Sequence, residues 1–224
     1  MALLRPEHKV FGRSIVSSFK INVTGATILQ HSETGNEKDT FALLWNYCLF
    51  NPDDTVVYIH NKGSFNPSPK NDALRKFVTR GALSEECLNM PSFCNVCSSH
   101  MSPIPHAHTS GNMWAARCEY VRKSMHPIQF EAKMAILYPT GKQFCKGTGR
   151  YSAEHWIHSH PSARPRDLST DDRYTWNYDN IPTDDLEIKL EPAPRFEFMK
   201  YVKKVCQDFP KLENLLHEYK FLYN

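Results

Sequence analysis

The chain has 224 residues, of which 41% are hydrophobic and 23% are charged, and its formal net charge is +3. These values are ordinary for a globular protein that buries a core, and so small a charge does not by itself indicate nucleic-acid binding. The sequence has no run of about 18 apolar residues and therefore predicts no transmembrane helix. We expect one domain over residues 1–224, with a core at about 14–160 and a C-terminal extension at 161–224.

The first half of the chain predicts alternating strands and helices. Residues 14–23 are rich in β-forming residues and predict a strand. Residues 37–50 place apolar side chains at helical spacing, and residues 55–60 form a short β-rich run between turn signals. Residues 72–80 predict a second helix. A helix, a turn and a buried strand in this order are typical of an α/β sheet.

The second half is richer in loops. Residues 87–112 form a long segment that contains Pro, Cys and His. A loop this long in a compact domain is usually functional or fixed by other contacts. An apolar run at 113–118 leads into a helix start. Ser152 is a candidate N-cap for a helix through His158, which Pro161 ends. Residues 163–195 predict an ordered wrap or a lid. The remaining predicted helices are 196–206 and 212–223.

The first candidate motif directly follows the predicted strand at 55–60. In open α/β sheets, ligands bind beyond the carboxyl ends of strands, which is where His60 and Lys62 lie. Gly63 permits a sharp turn, and the Lys62 ammonium is suited to phosphate. The simpler alternative is a strand that ends in polar residues and a glycine.

A second candidate motif is Ser-Gly-Asn-Met-Trp at residues 110–114. Gly111 allows the backbone to approach a ligand closely, and the Asn112 amide both donates and accepts hydrogen bonds. Trp114 would supply a flat apolar wall of the kind that sugar rings pack against. The alternative is a structural turn followed by a core tryptophan.

A third candidate is Glu154, in the first turn of the helix predicted after Ser152. The helix dipole favours an ionised carboxylate there, which could act as a general base, bind a metal or accept hydrogen bonds from hydroxyls. His158 lies four residues later on the same face, a spacing that metal sites also use. The alternative is an ordinary acidic residue at a helix start.

The cysteines leave several interpretations open. Cys94 and Cys97 have the two-residue spacing of half a zinc site, which His106 or His108 could complete. Disulfides and free thiols are the alternatives, and the odd count of seven leaves at least one thiol unpaired within the chain. Candidate disulfide partners are Cys87 and Cys118.

The order of these motifs resembles glycosyltransferases of the rhamnan-synthesis type, and a group of algal and bacterial proteins with His-x-Lys-Gly and Ser-Gly-Asn-Phe/Met-Trp motifs. The matching segments are 33–39, 60–63, 74–75, 111–117 and 154–156. The resemblance implies a GT-A-like (Rossmann-type) α/β fold: a mixed sheet flanked by helices, with long ordered loops and a helical C-terminus. It also implies transfer of a sugar, hexosyl or deoxyhexosyl, from a nucleotide-sugar donor to a glycan or glycoconjugate acceptor.

The resemblance also implies roles for individual residues. Glu154 and His60 would be catalytic, and Lys62, Gly63 and Arg75 would bind the donor phosphates. The residues that would line the sugar and acceptor pocket are His108, Gly111, Asn112, Trp114 and His155. Mn²⁺ or Mg²⁺ is compatible with this chemistry, although no Asp-x-Asp motif fixes an ion, and no nucleic-acid partner is expected.

Two other classes of function stay open on the sequence. One is a non-catalytic carbohydrate-binding or zinc-stabilised interaction protein derived from the same fold. The other is a Cys/His hydrolase that uses Cys118 or Cys97, for which no context indicates a reactive thiolate. The segment of about 32 residues before the first motif is short for the nucleotide-binding half of the fold. We expect the secretory pathway or the Golgi lumen if the chain is a piece of a longer protein, and the cytoplasm otherwise.

Overall fold

The structure, a computed structural model, describes residues 10–15, 26–32, 36–61, 67–103, 105–168, 206 and 220–223. The strands are β1 Val10–Ile15, β2 Ala26–Ser32, β3 Thr55–Tyr58, β4 Val96–Ser98, β5 Met101–Ser102, β6 His108–Thr109, β7 Trp114–Arg117 and β8 Pro165–Asp167. The helices are α1 Glu37–Phe50, α2 Pro69–Ala82, α3 Glu85–Leu88, α4 Cys118–Val121, α5 Pro127–Leu137, α6 Gln143–Lys146 and α7 Ser152–Trp156, with a 3-10 turn at Gly149–Tyr151. Within these ranges, no helix is long and apolar enough to span a membrane.

The central sheet is mixed, as the fold class expected from the sequence includes. Its strand order is β3-β7-β4-β8; β7 is antiparallel to both β3 and β4, and β8 is parallel to β4. In addition, β1 pairs in parallel with β2, and β5 pairs antiparallel with β6. The chain is therefore a mixed α/β protein.

Helix α1 begins and ends where the sequence predicts. A capping box starts it: the Asn36 side chain accepts from the Asp39 backbone N–H, and the Asp39 carboxylate accepts from the Asn36 N–H. Phe41 and Cys48 are fully buried, whereas Leu49, which the predicted apolar face included, is 38% exposed. At about 100° per residue, Leu49 lies roughly 80° around the helix from Phe41, at the edge of the buried face.

An aromatic group forms the main core, between α1 and the sheet. The Phe41 ring stacks on Trp156 of α7 at 5.0 Å and meets Tyr58 of β3 edge-on at 4.6 Å. Trp114 of β7 is fully buried beside them. Leu222, in the helical residues 220–223, is 1% exposed in the same core. The main core thus includes a residue from the C-terminal end of the described chain.

Three disulfides link separate parts of the fold. Cys48–Cys118 joins α1 to α4, Cys87–Cys97 joins α3 to β4, and Cys145–Cys206 joins α6 to the C-terminal region. Cys87–Cys97 fixes the start of the long segment 87–112, which also contains three short strands. Cys94 is buried and free.

The remaining sequence predictions compare with the structure as follows. Helix α2 is longer than the predicted 72–80 and buries Leu74, Phe77 and Val78. Helix α7 includes Ser152, has Tyr151 as its N-cap and ends at Trp156, two residues before the predicted end at His158. Most of the predicted strand at 14–23, of the wrap at 163–195 and of the two last helices lies outside the described residues.

Candidate functional site

One candidate site lies where the end of β3, the turn before β7 and the first turn of α1 meet. We call Glu37, Tyr58, His60 and Asn112 the Glu37 cluster. The Glu37 Oε1 atom accepts hydrogen bonds from Asn112 Nδ2 at 3.1 Å and from the Tyr58 hydroxyl at 3.2 Å. The Glu37 side chain is 35% exposed and that of His60 is 22% exposed. A ligand can therefore reach a carboxylate and an imidazole at this point.

The turn at residues 109–112 positions the Gly111 carbonyl next to His60 and the Asn112 amide next to Glu37. It closes with a hydrogen bond from the Asn112 N–H to the Thr109 carbonyl at 3.0 Å. Gly111 has a φ of 77°, and a Cβ there would lie 3.1 Å from the Val78 Cγ1 atom of α2. Asn112 has a φ of 52°, a left-handed value that Asn adopts more readily than most residues. Backbone in such sparsely populated regions concentrates at functional sites.

The contacts of His60 show which of its ring nitrogens donates a hydrogen bond. Its Nε2 atom lies 2.9 Å from the Gly111 carbonyl oxygen, which can only accept, so Nε2 carries the proton. The same nitrogen is 3.5 Å from Glu37 Oε1, an ion-pair distance. The ring also stacks on Tyr58, with centroids 5.6 Å apart and planes 14° apart. Burial, together with the Glu37 carboxylate, raises the pKa of Tyr58 and keeps its hydroxyl a donor.

A second group of polar side chains contacts the same turn through Thr109. We call His106, His108, His155 and His158 the histidine cluster. All four are nearly or fully buried. The His106 ring is 4.9 Å from that of His108 and 5.1 Å from that of His155, between centroids. The His158 Nε2 atom is 2.6 Å from the Thr109 hydroxyl, which ties the cluster to the turn.

Burial keeps these histidines neutral. It lowers the pKa of His155 to about 4 and that of His158 to about 3, with His108 adding repulsion. The pKa of His106 is lowered well below its usual value for the same reasons. The Phe144 backbone opposes that shift. Among the described residues, neither ring nitrogen of His106 has a partner at hydrogen-bond geometry.

Gly147 allows these rings to pack together. It follows α6 in a left-handed conformation with a φ of 64°. A Cβ at this position would lie 2.6 Å from His155 Nδ1 and 2.7 Å from His106 Cδ2, which is closer than real contacts allow. The glycine therefore satisfies both a backbone and a space requirement.

The structure brings together some of the predicted site residues and not others. His60 and Asn112 belong to the Glu37 cluster, and the Gly111 carbonyl contacts His60. Glu154, partly buried on α7, lies near the histidine cluster, where its charge raises the pKa of His108 against the larger effect of burial. Arg75 is on α2, paired with Asp72. Lys62 and Gly63 lie outside the described residues.

Three residues predicted to line a sugar pocket are interior instead. Trp114 is 0% exposed, His108 is 2% exposed and His155 is 4% exposed. The Trp114 indole N–H donates to Asn112 Oδ1 at 3.2 Å. The Trp114 ring packs against the rings of Phe41 of α1 and Trp156 of α7, and these neighbours bury it.

Sequence reasoning missed Glu37 and Tyr58 as site residues. Glu37 occupies the first turn of α1, directly after the N-cap Asn36, within the 33–39 segment that carries part of the resemblance. Tyr58 is the last residue of β3 and pairs with Trp114. The available signal for Tyr58 was its polar hydroxyl within the apolar strand predicted at 55–60.

The predicted zinc ligands do not assemble as a pair. Cys97 is bonded to Cys87, so it offers no thiolate, and Cys94 alone remains of the expected two. His106 and His108 pack in the histidine cluster. Over the described ranges, no group of three or more His, Cys, Asp or Glu side chains is arranged to hold a metal ion.

Comparisons with known proteins identify a family for the whole chain. No curated protein and no solved structure matches it significantly. The profile of one family matches residues 7–224, nearly the full length. The chain belongs to the family described as Domain of unknown function (DUF8361).

Proposed function

We propose that the chain is a glycosyltransferase, which moves a sugar from a nucleotide-sugar donor to a glycan or glycoconjugate acceptor. One observation carries the proposal. Two of the motifs that resemble glycosyltransferases, 51 residues apart in sequence, are joined by the contact between His60 Nε2 and the Gly111 carbonyl. Two motifs that are far apart in sequence are therefore in contact in the fold.

The chemistry of the Glu37 cluster fits this reaction. Carboxylate and imidazole groups that solvent can reach, here those of Glu37 and His60, are groups that bind sugar hydroxyls. An imidazole is also a suitable general base. In the proposed reaction, His60 takes the proton of the acceptor hydroxyl. The acceptor oxygen forms a bond to the anomeric carbon, and the bond from that carbon to the donor phosphate breaks, so the electron pair leaves with the nucleotide.

Positive charge is needed where the nucleotide leaves. We assign the stabilisation of the leaving phosphate to Lys62, two residues after His60, and to Arg75 of α2. Arg75 forms an ion pair with Asp72. Cations placed at developing negative charge are among the largest contributions to catalysis. Glu154 is proposed to influence the reaction through the histidine cluster, since its charge acts on His108.

The test is a donor screen with the purified chain. UDP-, GDP-, CMP- and dTDP-sugars, each with and without Mn²⁺, are assayed for thermal stabilisation and for release of the nucleotide. We expect one nucleotide to stabilise the protein and to be released, and His60→Ala to lower the rate by roughly 10²- to 10⁴-fold. His126→Ala is the matched control, because that histidine is also partly exposed but contacts Trp45.

The opposite result would favour the non-catalytic alternative. A folded chain that binds a glycan but releases no nucleotide from any donor would be a carbohydrate-binding protein. Equal turnover by His60→Ala and wild type would remove His60 from the mechanism and shift attention to Glu154→Ala.

A further inference from the structure

We infer that Glu37 is a positioning residue for His60, and that Nδ1 of His60 is the atom that accepts the proton. This inference rests on the proposed function. It adds a residue that neither the motifs nor the resemblance assigned to catalysis, and it assigns the base to one nitrogen.

The tautomer follows from the acceptor that faces Nε2. A carbonyl oxygen has no proton to give, so at 2.9 Å from the Gly111 carbonyl the Nε2 atom must carry hydrogen. A neutral imidazole has one N–H, and its lone pair is then on Nδ1. In the part of the chain that the structure describes, Nδ1 of His60 makes no hydrogen bond. No described residue therefore engages Nδ1, which is the nitrogen that can act as a base.

Glu37 supplies charge to the same ring. Its Oε1 atom is 3.5 Å from His60 Nε2, on the side of the ring that carries the proton. When Nδ1 takes a proton from an acceptor hydroxyl, the ring becomes an imidazolium, which a carboxylate at this distance stabilises. The carboxylate does not need to accept the proton to have this effect.

Neighbouring side chains hold both Glu37 and His60 in position. Asn112 Nδ2 and the Tyr58 hydroxyl both donate to Oε1 of Glu37, which orients the carboxylate. The Tyr58 ring lies parallel to that of His60 and limits its rotation. Glu37 also sits in the first turn of the 14-residue helix α1, where the helix dipole favours its negative charge.

The first experiment reads the tautomer and needs no substrate. Long-range ¹H–¹⁵N spectra of the ¹⁵N-histidine-labelled chain, with His60→Gln to assign the signal, should show His60 protonated at Nε2. The Nε2 proton should move upfield in Glu37→Gln, because the carboxylate deshields it. A His60 protonated mainly at Nδ1, or a proton signal that Glu37→Gln leaves in place, would overturn the inference.

The second experiment uses the donor found in the screen. Glu37→Gln keeps the shape and an acceptor for Asn112 but removes the charge, so we expect kcat to fall about 10- to 100-fold with KM little changed. Glu37→Asp should recover part of the loss. Glu131→Gln is the matched control, since that carboxylate pairs with Lys38 on the α1–α5 side. An unchanged kcat in Glu37→Gln would refute the positioning role.

The two proposals fail in different ways. If no donor is turned over but the tautomer and the upfield shift are found, the proposed function is refuted and the arrangement around His60 stands. If a donor is turned over but the Nε2 signature is missing, the function stands and the role of Glu37 is refuted.

Discussion

The buried indole of Trp114 donates its N–H to the side-chain oxygen of Asn112, two residues earlier in the chain, at 3.2 Å. The amide nitrogen of the same Asn112 donates to Glu37. One amide thus connects the aromatic core to a surface carboxylate. This connection explains why an asparagine occupies a backbone position with positive φ.

Asn112→Ala should destabilise the protein by about 2–4 kcal/mol, because it leaves a buried N–H without an acceptor and places Ala in a left-handed conformation. Asn112→Gly loses the same hydrogen bonds without the backbone strain, so it should cost roughly 1 kcal/mol less. Urea unfolding measures both values. If the unfolding free energies of both variants lay within about 0.5 kcal/mol of the wild-type value, the hydrogen bonds of the Asn112 amide would not stabilise the fold.

The buried histidines should make the protein acid-sensitive. Burial lowers the pKa of His100 and His155 to about 4 and that of His158 to about 3. Below about pH 6.5, the unfolded chain binds protons that the folded chain does not. The stabilising contribution is therefore complete above that pH and is lost as the pH falls towards the folded pKa values, at about 1.4 kcal/mol per pH unit for each histidine.

Unfolding free energies measured by urea titration between pH 7.5 and 5 test this expectation. His158→Gln removes one titrating group, so its stability should depend less steeply on pH than that of wild type, by about one proton. His126→Gln, at a partly exposed position, is the control. A pH dependence that is identical in all three proteins would contradict the assignment of His158.

Gly147→Ala should be far more damaging than Gly149→Ala, although both glycines have similar positive φ values of 64° and 57°. At 147 the added Cβ meets the buried rings of His155 and His106, whereas at 149 it meets the end of the flexible Gln143 side chain. The backbone cost of about 1–2 kcal/mol is common to both. Thermal melts of the two variants should differ by the additional steric cost, and equal melting temperatures would refute the packing around Gly147.

The disulfides should contribute unequally. Cys48–Cys118 closes a 70-residue separation and Cys87–Cys97 a 10-residue one. Chain entropy predicts about 4 kcal/mol for the first and about 3 kcal/mol for the second. Unfolding of the two double serine variants should show the larger loss for Cys48→Ser/Cys118→Ser. Thiol titration of the unreduced, unfolded wild type should find one thiol; more than one would contradict the three pairings.

Local signals made part of the fold predictable. The predicted bounds of helix α1 are confirmed at both ends. The residues that begin and end it, Asn36 and Asn51, directly flank the helix in the sequence. Helix α5 was not predicted: Ile128 and Ile136 are exposed apolar side chains, which blur its amphipathic pattern. β8 has three residues and pairs with β4 far away in sequence, and such pairing depends on tertiary context.

The candidate site was predictable only in its components. His60 and Asn112 stood out through their motifs, but no local pattern encodes the contact between His60 and Gly111. The burial of Trp114 depends on neighbours from α1 and α7, which the sequence does not place beside β7. Disulfide connectivity is likewise a property of the folded chain, since the number of pairings of seven cysteines is large.

The neighbourhood of Cys94 has a consequence for preparing the protein. This free thiol packs in the same apolar cluster as both sulfurs of the Cys87–Cys97 bond. During oxidative production, its thiolate can exchange with that bond and trap isomers in which Cys94 has replaced a native partner. Cys94→Ala removes the competitor at a small cost in packing. We expect it to yield a more homogeneous product from cell-free or bacterial expression than the wild-type chain.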